Sequence, residues 1–101
     1  MVSVKVGKLA DFPEGEMRGL TVNGNEILIA NVKGKVYAMH SVCTHEGGPL
    51  AEGELKEYRV TCPWHGAVFD VRTGKVLEAP AEKNEETFKV SIKGEEVFVE
   101  V

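Results

Sequence analysis

Four glycine-centred turn signals constrain this chain more than any other feature. Asn23-Gly24, Lys33-Gly34, Thr73-Gly74 and Lys93-Gly94 each separate two short runs rich in apolar residues. Asn-Gly in that setting is a strong signal for a two-residue hairpin, because both central residues of the favoured turn need positive φ. The runs themselves have the period of strands. Val2, Val4 and Val6 alternate with polar neighbours, which places one face of a strand on a core. Arg18 to Val22 leads into the Asn-Gly turn, and Ile27, Leu28 and Ile29 return from it to about Val32. Lys35 to Ser41, Tyr58 to Thr61, Ala67 to Val71 and Lys75 to Leu77 read as further strands, and Thr87 to Ile92 pairs with Glu96 to Val101 as a final hairpin. No segment carries a long helical period, although the acidic stretch Ala51 to Glu57 has room for one helical turn. The fold class is therefore all-β.

One domain is expected for 1–101, since 101 residues leave no room for a catalytic domain beside a cofactor domain. Within it the composition changes once. The segment from His40 to Pro80 holds both cysteines, all three histidines, the only tryptophan and three of the four prolines. It reads as a site-bearing subdomain, about 40–80, inserted in a strand-rich base formed by 1–39 and 81–101. Sixteen acidic against twelve basic residues leave a net charge of −4, which gives no electrostatic footprint for nucleic acid. No window approaches the roughly 18 apolar residues of a membrane span, and the first residues do not resemble a secretory leader. The expectation is a cytoplasmic protein without a membrane anchor. In that setting two cysteines are better metal ligands than a disulfide.

Their surroundings agree. Cys43-Thr44-His45 reads C-x-H, and Cys62-Pro63-Trp64-His65 reads C-x-x-H. Thiolate and imidazole are good ligands for soft and borderline metals, and two short loops carrying one of each can clamp a metal group between them. A single tetrahedral zinc takes two Cys and two His, but structural zinc sites usually pair like with like. One Cys and one His per loop suits a two-iron cluster, with Cys43 and Cys62 on one iron and His45 and His65 on the other.

With Gly66 following, the two motifs resemble the paired signature of the Rieske family; the specific match runs from about Cys43 to Phe69. The resemblance implies a Rieske-type fold of stacked antiparallel sheets, with a small cluster-binding subdomain carrying one [2Fe–2S] cluster per chain. It implies Cys43, His45, Cys62 and His65 as ligands, and a surrounding shell of Gly48, Trp64, Gly66 and Pro80. Pro80 resembles part of the family's third loop, over the cluster. Respiratory members carry an extra cysteine in each loop, joined as a disulfide; the matching positions here are Gly48 and Trp64. Those members also place hydroxyls where this chain has Ala67 and Phe69. Hydrogen bonds to sulfur favour the reduced cluster, so their loss predicts a potential near the low end of the Rieske range, around −150 mV.

The resemblance further implies a soluble one-electron carrier rather than an enzyme. Its partners would be a flavin-dependent ferredoxin reductase and the terminal oxygenase of an aromatic-ring dioxygenase system. An oxygenase needs its own mononuclear iron site of two histidines and a carboxylate, and only His40 remains after the cluster ligands. Two alternatives stay open at this point. One is a Rieske-like small subunit of a larger redox enzyme such as nitrite reductase. The other is a zinc-stabilised binding module. His40 reads as a strand-end surface histidine, and Trp64 as packing over the site.

Overall fold

The computed structural model describes residues 2–43, 47–64, 66–79 and 83–101. Among the described residues eleven strands run in chain order: β1 (Ser3–Lys8), β2 (Met17–Val22), β3 (Asn25–Val32), β4 (Lys35–His40), β5 (Glu54–Lys56), β6 (Arg59–Thr61), β7 (Val68–Asp70), β8 (Val76–Glu78), β9 (Thr87–Phe88), β10 (Val90–Lys93) and β11 (Glu96–Glu100). Two 3-10 turns, Leu9–Asp11 and Leu50–Glu52, accompany them. Among the described residues no helix is long and apolar enough to cross a membrane.

The strands form three antiparallel sheets, in the orders β1-β11-β10, β2-β3-β4-β9 and β5-β6-β7-β8. The middle one is set by β3. Successive side chains on a strand point to opposite faces, and here both faces are apolar. Ile27 and Ile29 enter a core with Phe12, Val22, Val36, Ala38, Val97 and Val99. Leu28, Ala30 and Val32 enter a second core with Met39, Cys43, Leu50, Val60, Cys62 and Phe69. A strand buried on both faces needs a sheet on each side, so β3 is the wall between the base and the site-bearing layer.

The expected hairpins form at their turn signals. Asn23 and Gly24 both have positive φ, at 48° and 80°, and join Val22 to Asn25 in register. Lys33 and Gly34 join β3 to β4 in the same way. Two sequence expectations change. The acidic stretch after Ala51 is mostly strand: the helical turn stops at Glu52, and Glu54, Leu55 and Lys56 pair with β6. The run Thr87 to Ile92 is two strands rather than one. β9 pairs with β4 in the middle sheet, whereas β10 pairs with β11 in the base. The chain passes from one sheet to the next at Lys89.

Candidate metal centre

Two loops carry the cysteines, and their backbones follow one plan. The first leaves β4 and is closed by the bridge between Val42 and Pro49; the second joins β6 to β7, where Thr61 faces Val68. Each cysteine donates its own N–H to the carbonyl five residues on: Cys43 to Gly48 at 2.8 Å, and Cys62 to Ala67 at 2.7 Å. Each loop has a glycine four residues after its cysteine, Gly47 at φ 75° and Gly66 at φ 74°. Positive φ at that point turns the chain back toward its start, which a side chain would hinder. The sequence motifs show different Cys-to-His spacings, but the backbone repeats with the cysteine as its first position.

Both sulfurs end inside the protein. Cys43 is 4% exposed and Cys62 is 2% exposed, and both are free thiols in one core with Ala67 and Phe69. Burial pushes the Cys62 thiol up, the Trp64 backbone N–H pulls it down, and hydrogen bonding and charge from Cys43 push it up again. The charge of Glu85 acts in the same upward direction. Two adjacent buried thiols cannot both become thiolates without a positive partner. A cationic iron–sulfur core is such a partner, so this donor pair fits the cluster.

The shell is equally close. The Trp64 N–H lies 3.4 Å from Cys62 Sγ and donates to it. A Cβ placed on Gly48 would stand 2.7 Å from the same sulfur and 3.2 Å from the Trp64 ring. The two loops therefore meet at Gly48, with the indole lying against it. The Trp64 ring lies against Gly48 and remains 49% exposed, so its outer face looks to solvent beside the buried sulfur. Gly66 is exposed at the tip of the second loop. His45, His65 and Pro80 lie outside the described residues.

Sequence reasoning missed Glu85. Its side chain is 1% exposed, and one oxygen lies 3.5 Å from His40 Nδ1. The segment Glu82-Lys83-Asn84-Glu85-Glu86 reads as a solvated polar run, and nothing local to it signals that one of its acids turns inward. His40 does sit at a strand end, as expected, with its ring nitrogen beside that acid and no hydrogen bond to the facing oxygen.

Similarity to known proteins agrees with this geometry. The family model described as Rieske [2Fe-2S] domain matches residues 2–93, and the chain belongs to that family, whose cofactor is the two-iron cluster of its name. It is 38% identical over 93 residues to the ferredoxin component of the naphthalene 1,2-dioxygenase system of Pseudomonas aeruginosa, covering 92% of this chain and 89% of that one. The ferredoxin of carbazole 1,9a-dioxygenase from Nocardioides aromaticivorans IC177 superposes with a TM-score of 0.94 at 28% identity, covering 98% and 97% of the two chains. A chain in a complex of reduced oxygenase and oxidized ferredoxin in carbazole 1,9a-dioxygenase superposes at 0.92 with 31% identity, covering 97% of this chain and 92% of that one.

Proposed function

We propose that Cys43, His45, Cys62 and His65 hold one Rieske [2Fe–2S] cluster, and that this chain carries single electrons from a flavin-dependent reductase to a terminal oxygenase. When bound, the cluster supplies the one-electron chemistry. Residues of the chain supply its setting. The Leu28, Leu50, Val60 and Phe69 core keeps water from the sulfurs. The Trp64 N–H donates to Cys62 Sγ, Gly48 leaves space for that sulfur, and Gly66 turns the second loop. Pro80 is assigned to the same shell by its resemblance to the family's third loop. Residues 40–80 act as the cluster-binding subdomain of a single domain, on a base of 1–39 and 81–101. The setting is the cytoplasm, which suits two free thiols.

The observation that carries this reading is the convergence of two buried cysteines on two loops of one backbone plan. The near full-length likeness to ferredoxin components supports the carrier role, and the neighbour from a complex of reduced oxygenase and oxidized ferredoxin supports an oxygenase as acceptor. Purified protein is expected to be red-brown, with two irons and two acid-labile sulfides per chain. Its reduced EPR spectrum should have the lowered average g of a nitrogen-ligated cluster. A colourless protein with one zinc would overturn the reading. Rapid reduction by a flavin-dependent reductase, with re-oxidation by an oxygenase, tests the partners.

A further inference from the structure

One edge of β4 is paired along only half its length. β9 meets it through Phe88 and Thr87 alone, which face Ala38 and Met39. The chain then leaves for the base at Lys89, whose carbonyl accepts the Glu100 N–H at 2.9 Å. Lys35 to Tyr37 therefore have β3 on one side and, among the described residues, no strand on the other. Peptide groups along a strand turn alternately to its two neighbours. His40 donates its N–H to the Glu86 carbonyl at 2.7 Å, so the peptides of Ala38 and Val36 turn to that same side. Beside Val36 that side is a groove of about 300 Å³, which Val71, Phe88 and Val90 line together with Arg72 and Lys89. Among the described residues no carboxylate lines it. Arg72 is held in place there. Asp70 accepts from its guanidinium at 3.1 and 2.9 Å, and the guanidinium carbon stands 3.9 Å from the centre of the Tyr58 ring. Those two bonds use two of its five N–H donors and leave three for a ligand. Asp70 balances the charge of Arg72, so the positive surplus comes from Lys89, and from Lys33, whose ammonium lies 5.9 Å from the centre of the same Tyr58 ring.

We propose that this groove takes an extended acidic segment of a protein partner, added as a strand beside the first half of β4. The inference stands apart from the cluster reading. In strand addition the open backbone edge supplies the hydrogen bonds, and the flanking side chains select the sequence. Lysines beside an open edge discourage pairing with a like edge, and the same charges favour an acidic strand. A small anion would meet Arg72 and Lys89 but leave the peptide of Val36 unused, whereas an extended acidic segment engages both. The groove also lies away from the cysteine loops. Val36 is near the start of β4, and His40, at its other end, leads on to Cys43. A segment bound beside Val36 leaves the two cysteine loops uncovered.

Titration of the nitrogen-15-labelled holoprotein with a blocked peptide of alternating valine and glutamate tests this by amide shifts. Saturable shifts are expected at Val36, Arg72 and Lys89. Lys89→Glu, a change at an exposed position, is expected to weaken binding about tenfold or more. The same peptide N-methylated at every residue keeps its charge but cannot pair as a strand, and it too should bind at least about tenfold more weakly. A valine–lysine peptide should give no saturable shift. The proposal is overturned if the valine–glutamate peptide leaves these amides unmoved, or if the valine–lysine peptide moves them equally. Equal binding by the N-methylated peptide would also overturn it, since the edge would then play no part. So would N-acetylglutamate saturating the same shifts at the same concentration, because the groove would then be a small-anion site.

Discussion

Gly48 shows how tightly single residues are fitted at this site. A methyl group there meets the Cys62 sulfur at 2.7 Å and the indole of Trp64 at 3.2 Å. Neither neighbour yields easily, since the sulfur is a ligand candidate and the ring spans the two loops. Overpacking of a filled site costs about 1–3 kcal/mol. Gly48→Ala is expected to lower the melting temperature and to hold substoichiometric iron, whereas Gly15→Ala, strained at φ 83° but with no neighbour for its Cβ to meet, should keep full iron. Iron and sulfide analysis of both variants checks this, and full loading of Gly48→Ala would contradict the contact. A second residue-scale effect sits in the turn after β7. Asp70 accepts hydrogen bonds from the Arg72 N–H at 2.9 Å and from its guanidinium at 3.1 and 2.9 Å. Hydrogen bonding to Arg72 holds its carboxyl below the ordinary 3.8. A depressed folded value means that the contribution to stability is full above the unfolded value and is lost as pH falls through the folded one. Asp70→Asn is expected to lower the melting temperature by a few degrees at neutral pH, and the gap should close only below about pH 4. A gap unchanged down to pH 2 would assign the loss to packing instead.

At the scale of elements, β3 divides the molecule, and its two faces make separable predictions. Leu28→Ala and Ile29→Ala each remove a fully buried side chain and are each expected to cost about 2–5 kcal/mol. Only Leu28 faces the core that contains both cysteines; Ile29 faces the base. Chelator-driven bleaching of the cluster should therefore speed up in Leu28→Ala and stay near wild type in Ile29→Ala, at a temperature where both are folded. Equal bleaching would mean that the two cores unfold as one unit. The legibility of these elements follows the same physics. Hairpins announced by Asn23-Gly24 and Lys33-Gly34 were readable because the turn chemistry is local. Cys43 and Cys62 were readable because motif and chemistry coincide. β5 was hidden because Glu54 and Lys56 are solvent-facing on an edge strand, which leaves Leu55 as its only apolar signal. The break at Lys89 was hidden because two strands on different sheets can share one unbroken alternation. Glu85 was hidden because its burial comes from elements distant in sequence, the Gly74 turn and the end of β4.

For the whole molecule, charge bears on how a carrier meets its partners. The net charge is −4, and reduction makes the molecule more negative still. Glu52, Glu54 and Glu57 are exposed along the edge strand and turn of the site-bearing sheet, on the same layer as the exposed face of Trp64. Acidic groups on one face steer a partner with a basic face, raising its association rate rather than its final affinity, and salt weakens the effect. The second-order rate of electron transfer to an oxygenase partner is therefore expected to fall as ionic strength rises from 0.01 to 0.15 M, as the Debye length shrinks from about 30 to about 8 Å. Reversing Glu52 and Glu54 to Lys should slow the low-salt rate by about tenfold or more and flatten its salt dependence. Glu95→Lys, in the turn between β10 and β11 of the base, adds the same charge per substitution on the opposite layer and should change little. Stopped-flow traces for these three proteins separate steering by a face from steering by net charge. If Glu95→Lys slows transfer as much per unit charge as the paired reversal, no local face guides the encounter, and only the overall charge does.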